Sequence, residues 1–272
     1  MPGGELLDCV RRGKKGELVC GDRVGVVTTA EGQGVIESVA PRSTLLFRSD
    51  AYRQKLIAAN VGQIVVVLAA VPSYQEELLD RCLAAAEHEQ IRALIVLNKT
   101  DLRGPAEAAL AKLEPYAALG YTVLPLAAKQ HIDPLRAHLQ GRLSVLVGQS
   151  GMGKSTIIGQ LLPEVRVRVA ELSRALDSGR HTTTSARLYR VDARSQLIDS
   201  PGLQEFGLHH LSLDDLQHGF VEFRPFLGAC RFRNCRHLLE PGCALEQAVR
   251  DLRISARRLA SYRRIAQEPR AR

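Results

Sequence analysis

No stretch of eighteen consecutive apolar residues occurs in the 272-residue chain, so a membrane-crossing helix is not expected. The opening residues, MPGGELLDCVRRGKKGE, carry charges where an export signal would need an apolar core. A cytoplasmic protein with no membrane contact is therefore expected. Cysteine is scarce, at six residues, and without an export signal this argues against a disulfide framework and leaves metal binding or simple burial. Aromatic residues are scarcer where nucleic acid would stack: Phe47 is the one aromatic residue before Tyr52, which ends the first 52 residues. Recognition of folded RNA by backbone and shape fits that segment better.

What the chain does contain is apolar residues at 45%, ample for buried cores, and an excess of base. The formal charge of +8 and pI near 9.4 favour a polyanionic partner. Part of that excess lies at Arg11, Arg12, Lys14 and Lys15, and more at the C-terminus, where eight arginines face two acids after residue 249. Helical spacing there predicts a cationic helix suited to RNA phosphates, against the plainer reading of a solvated face.

Apolar runs at 63–70, 91–97, 121–126 and 143–148 read as buried strands, and amphipathic stretches at 75–89 and 105–119 as crossover helices. Such alternation predicts an α/β domain with a parallel sheet. Before it, short alternating segments at 22–30, 34–39 and 44–49 suggest a small β-barrel. After about residue 208 a cysteine-bearing, aromatic stretch leads into the arginine-rich tail. Domain boundaries are expected at 1–52, 53–208 and 209–272.

The segment IVLNKTDL raises a question through one more absence. Asn98-Lys99-Thr100-Asp101 after a strand is the pattern with which GTPases read guanine, yet no glycine-rich phosphate loop precedes it. That loop stands downstream instead, as GQSGMGKST between a strand and a helix start. Gly148, Gln149, Ser150, Gly151, Met152 and Gly153 are expected to turn backbone N–H groups onto phosphates, with Ser155 and Thr156 opening the helix. Lys154 would reach the β and γ phosphates, and the Ser155 hydroxyl would ligate magnesium. Asp101 would accept two hydrogen bonds from guanine, a donor pair adenine lacks, as a buried carboxylate that rejects ATP. Lys99 would cover the base and Asn98 would tie the two loops together. The Ser-Ala turn that normally completes guanine recognition reads Ala127-Ala128 here, which keeps main-chain N–H groups but no hydroxyl.

Farther on, Asp199 and Gly202 in LIDSPG would hold magnesium through water and donate an N–H to the γ phosphate. Thr183 in HTTT would complete the magnesium shell with Ser155 and Asp199, although Thr182 and Thr184 fit the spacing equally. Where many small GTPases carry a water-orienting glutamine, Leu203 stands, with neither donor nor acceptor. His181 is the candidate to orient or deprotonate water, with Gln204 one position late. These switch segments run directly into 209–272, which predicts nucleotide-driven repositioning of that region.

Cys230-x4-Cys235-x-His237-x5-Cys243 offers three thiolates and an imidazole within 14 residues, a closed set that suits structural zinc. Cys9, Cys20 and Cys82 lack ligand spacing and are expected as apolar fillers.

The order NKTD, GQSGMGKST, GRHTTT, DSPG and then the cysteine cluster resembles the small ribosomal subunit-dependent, circularly permuted GTPases, the RsgA/YjeQ family. The resemblance implies an N-terminal OB-fold barrel, a permuted P-loop GTPase domain and a zinc-binding helical C-terminal domain, with zinc on the same four residues. It also implies GTP hydrolysis to GDP and phosphate, stimulated by the small subunit and its rRNA late in assembly, with His181 matching the family's proposed catalytic histidine; a monomer is expected. A P-loop ATPase or kinase, and an RNA-binding zinc module with a vestigial nucleotide site, are the competing readings.

Overall fold

The computed structural model describes residues 6–13, 17–49, 54–164, 186–200 and 207–269. Two small sheets open the chain. In one, β1 (Asp8–Arg11) pairs parallel with β3 (Gln33–Val39), which pairs antiparallel with β2 (Val24–Ala30). In the other, β4 (Leu45–Ser49) and β5 (Gln54–Ala59) form an antiparallel pair. The alternating segments of the sequence thus became strands, while β5 carries N-terminal β-structure past residue 52.

The larger sheet has the order β10-β11-β9-β6-β7-β8. Its strands are β6 (Gln63–Ala69), β7 (Arg92–Asn98), β8 (Thr122–Leu126), β9 (Leu143–Val147), β10 (Arg187–Arg190) and β11 (Gln196–Asp199). All neighbours run parallel except β10, which pairs antiparallel with β11 at the edge. The run QIVVVLA of β6 is buried throughout, as a central strand covered on both faces must be. Its period of two divides the core. Ile64, Val66 and Leu68 pack toward α1 (Glu76–His88) and α2 (Arg103–Ala118), whereas Val65, Val67 and Ala69 pack toward α3 (Asp133–Leu139) and α4 (Lys154–Leu161).

The C-terminal part holds α5 (Leu213–His218), a 3-10 turn at Val221–Phe226, α6 (Ala244–Arg250) and α7 (Ala256–Ala266). It shares one continuous core with the sheet domain: Phe220, Phe223 and Tyr262 belong to the same cluster as Leu79, Leu83 and Leu113. Repositioning of 209–272 as a unit would have to open that core and the ion pairs beneath it.

Those ion pairs also correct the expected cationic helix. The helical run is broken at Leu252, whose φ of 58° lies in the left-handed region. In α7, Arg257 pairs with Glu76 and Asp80, Arg258 with Asp80 and Glu222, Arg263 with Glu246, and Arg264 with Glu77. Arginine forks that would meet RNA phosphates are spent on carboxylates of this chain, because α7 packs against the acidic first turns of α1.

Candidate nucleotide site and metal-binding group

Parallel strands place their following loops on one edge of a sheet. The base-reading segment follows β7, the alanine turn follows β8, the phosphate loop follows β9, and Asp199 ends β11. With β6 between β9 and β7, the four meet along the C-terminal edge although they are scattered over a hundred residues of chain.

Asn98 joins them. Its side chain is buried, the amide nitrogen donating to the Met152 carbonyl at 3.0 Å and the amide oxygen accepting from the Ala128 N–H at 3.1 Å. One residue thereby holds both the phosphate loop and the alanine turn. The approach is close enough to dictate the loop sequence: a Cβ on Gly153, at φ 95°, would lie 2.3 Å from the Asn98 amide nitrogen. At Gly148 a Cβ would lie 2.3 Å from the Val67 carbonyl oxygen. Neither glycine can take a side chain without moving the loop.

Lys99, at φ 62°, donates from its ammonium to the Val71 carbonyl at 2.6 Å and the Gly151 carbonyl at 2.8 Å. Thr100 donates its backbone N–H to the Leu126 carbonyl at 3.2 Å. The Ala127 carbonyl accepts from Gln130 and His131, so the turn forms without a serine. Asp101 is exposed at the rim, which corrects the expectation of a buried carboxylate: protein atoms alone do not cover it.

Lys154 starts α4 and donates to the Gly148 carbonyl at 2.5 Å and the Gln149 carbonyl at 2.9 Å. Burial pushes its ammonium pKa down, opposed by attraction to Asp199. Burial pushes the Asp199 carboxyl up, opposed by Lys154 and Arg187. Desolvation outweighs mutual attraction for both, which poises the pair to gain from ions of either sign. Ser150 is exposed on the loop and Ser155 in the first turn of α4, Met152 is buried beneath the loop, and Thr156 is half-buried. His181, Thr182, Thr183, Thr184, Gly202, Leu203 and Gln204 lie outside the described residues.

Cys230, Cys235, His237 and Cys243 come together, their ligand atoms all within 4.8 Å of one another. A tetrahedral site with metal–sulfur bonds of ~2.3 Å needs sulfur atoms ~3.8 Å apart, so only a small contraction is required. His237 turns Nδ1 toward the three sulfurs, at 3.4 to 3.6 Å, while its Nε2–H donates to the Gln217 side-chain oxygen at 3.0 Å. That bond fixes the tautomer a metal requires. Gln217 carries no signal in the sequence, since its role depends on α5 crossing the cysteine loop. Glu240 braces the loop by accepting backbone N–H groups of Arg236, Leu238 and Leu239. Three cysteines and one histidine at these distances can hold a metal ion. Cys82 is a buried filler as expected, and burial pushes its thiol pKa up to about 12.

A model of the RsgA GTPase family matches residues 39–209. The chain belongs to the RsgA GTPase family. Relatives named small ribosomal subunit biogenesis GTPase RsgA include one from Nitrosospira multiformis, 55% identical over 95% of this chain and 83% of that protein. Another, from Nitrosomonas europaea, is 52% identical over 97% of this chain and 85% of its own length. Among solved structures, YjeQ from Thermotoga maritima superposes with a TM-score of 0.74 at 28% identity, over 95% of this chain and 88% of that one. YloQ, described as a circularly permuted GTPase, gives 0.70 at 28% identity, over 97% and 88%. As an RsgA-family GTPase with the permuted fold, the chain carries its NKTD segment ahead of its glycine-rich loop, and the ATPase, kinase and vestigial-site readings are not favoured. Among the described residues, no helix is long and apolar enough to cross a membrane.

Proposed function

We propose that this chain binds GTP at the C-terminal edge of its parallel sheet and hydrolyses it to GDP and phosphate when docked on the small ribosomal subunit, late in that particle's assembly. The observation that carries the reading is Asn98, whose buried amide holds the phosphate loop and the alanine turn in one frame. Asp101 reads the guanine ring N–H and amino group, with the stem of Lys99 and the main chain of Ala127 and Ala128 around the base. The loop from Gly148 to Thr156 wraps the triphosphate. Lys154 exchanges its carbonyl partners for phosphate oxygens.

Magnesium, when bound, neutralises developing charge on the phosphates. Ser155, Asp199 and Thr183 are the residues that would hold it, and a cation beside Asp199 would draw that buried carboxyl back to its charged form. Gly202 would donate its N–H to the γ phosphate. His181 would orient or deprotonate the attacking water, since Leu203 has no group to do so. Zinc is the metal that Cys230, Cys235, His237 and Cys243 suit, in a closed structural site. The working domains are a barrel at 1–52, a GTPase domain at 53–208 and a zinc-binding domain at 209–272, with β5 paired to β4 across the first boundary. The +8 charge supports contact with rRNA, and the protein would act as a cytoplasmic monomer.

Turnover measured with and without purified small subunits, at two salt concentrations, tests the reading. Subunits should accelerate hydrolysis, less so at high salt, and Lys154→Ala should abolish it. In the same assay His181→Ala should lower stimulated turnover about tenfold or more with GTP affinity nearly unchanged. Unstimulated, salt-indifferent turnover would remove the ribosomal partner from the proposal, and a full-rate His181 variant would remove its catalytic role.

The metal makes a separate prediction. Chelation, or Cys235→Ser, should release one zinc per chain by mass spectrometry and expose the backbone of 228–243 to proteolysis. A folded protein that contains no metal would reject the zinc assignment.

A further inference from the structure

The loop between β6 and α1 touches the phosphate loop three times. Pro72 lies against Gly151, its Cγ 3.5 Å from where a Cβ would stand. The Lys99 ammonium bridges the Val71 and Gly151 carbonyls. The third contact is specific to one side chain: the Gln149 side-chain oxygen accepts the Gln75 backbone N–H at 2.9 Å, at the N-cap of α1. The next residues of α1 are ion-paired to the C-terminal helix. Glu76 pairs with Arg257 at 2.7 Å, Glu77 with Arg264 at 2.6 Å, and Asp80 with Arg258 at 2.6 Å and Arg257 at 2.9 Å. Arg81 reaches beyond α7 to Glu268.

A rigid helix thus has its N-cap bonded to the phosphate loop and its acidic first turns clamped by α7. We propose that Gln149 is a positioning residue that couples the phosphate loop, through α1, to helix α7, so that nucleotide occupancy and the setting of the C-terminal domain influence each other. The inference rests on the nucleotide-site reading above. Its chemistry is simple. A phosphate loop that tightens around anions repositions Gln149, and the Gln75 amide moves with its acceptor. The α1 carboxylates transmit that movement because each is already held by an arginine. Coupling of this kind is reciprocal: a partner bound at α7 whose affinity the nucleotide changes must change nucleotide affinity by the same factor.

Hydrogen exchange on the full chain tests it. In the parent, magnesium-GDP should slow exchange of the α7 amides, 256–266, by about fivefold or more. In Gln149→Met, at the same ratio of GDP to that variant's own Kd, α7 protection should fall toward the ligand-free value while the amides of β6, β7 and β9 stay protected. Matching the ratio equalises the stabilisation that any bound ligand confers on the whole fold. The reverse leg is a titration with fluorescent GDP. Arg264→Gln, which cuts the link from Glu77 to α7 and leaves Glu77 paired only with Arg81 of its own helix, should weaken binding about fivefold or more, whereas Arg250→Gln, whose guanidinium bonds to Gln247 in its own helix, should not. Equal α7 protection in the parent and in Gln149→Met, or a parent α7 indifferent to GDP, would overturn the coupling with the nucleotide site intact. Failure of the parent to bind GDP at all would overturn the site reading and the coupling with it.

Discussion

Asp101→Asn is expected to exchange the preferred nucleotide from GTP to XTP. A carboxylate at this position accepts from the guanine ring N–H and exocyclic amino group, two hydrogen bonds to a charged acceptor. With an amide, one acceptor remains and the other atom becomes a donor, which faces the guanine amino group and repels it. Xanthine carries a carbonyl where guanine carries that amino group, so the amide donates to it while still accepting from the ring N–H. Each charge-assisted hydrogen bond contributes ~1.5–3 kcal/mol, and the swing in the GTP to XTP ratio should be roughly a thousandfold. Asp101 is exposed at the sheet edge, so the base itself must complete the desolvation on which discrimination depends. Competition of GTP, XTP and ATP against a fluorescent GDP probe measures the swing. A variant that still prefers GTP, or a parent that holds ATP equally well, would place the base elsewhere.

The candidate site is legible in the sequence because its chemistry is local. Each loop carries its chemistry in four to nine consecutive residues, and each follows an apolar strand whose end sets the edge. Once β6, β7, β8 and β9 are read as parallel, the meeting of NKTD with GQSGMGKS follows from topology. The strand QIVVVLA announces itself because a central strand must be apolar on both faces. β5 and β10 were less legible: QKLIAA lies beside a predicted boundary, and RLYR is a four-residue edge strand with mostly exposed side chains. The metal group was legible from ligand types and spacing, but Gln217, which orients His237, comes from another helix.

Charge was the least transferable signal. Arginines at helical spacing are compatible with an RNA-facing helix or with acid-paired packing, and composition cannot choose between them. What decides is the acidic start of α1, 177 to 187 residues earlier, where Glu76, Glu77 and Asp80 meet the arginines of α7. Of the arginines in α7, each finds a carboxylate of this chain. The basic excess available to a polyanion therefore lies elsewhere on the molecule.

That burial sets the second large expectation: Arg258→Met should destabilise the protein by about 3–5 kcal/mol. Arg258 is 2% exposed, and its guanidinium meets Glu222 twice, at 2.6 and 3.0 Å, and Asp80 at 2.6 Å. Asp80 is wholly buried and also receives the Tyr116 hydroxyl at 2.5 Å and Arg257 at 2.9 Å. Methionine fills most of the volume, so the loss isolates charge from packing: Glu222 keeps its desolvation cost without its partner. The double variant Arg258→Met/Glu222→Leu should recover much of the loss, since an ion pair replaced on both sides leaves no orphan. Acid adds an independent check. Burial raises the Asp80 carboxyl, but the Arg258 charge and the Arg257 hydrogen bond and charge outweigh it, leaving the pKa below the ordinary carboxylate value. A lowered folded-state pKa means that the contribution is complete above the unfolded value of about 3.9 and is lost as pH falls through the folded one. The midpoint of urea unfolding should therefore drop steeply below about pH 4 in the parent and less steeply in Arg258→Met. A variant within about 1 kcal/mol of the parent at pH 7 would show that water reaches the cluster and that the arginine contributes as a surface pair does.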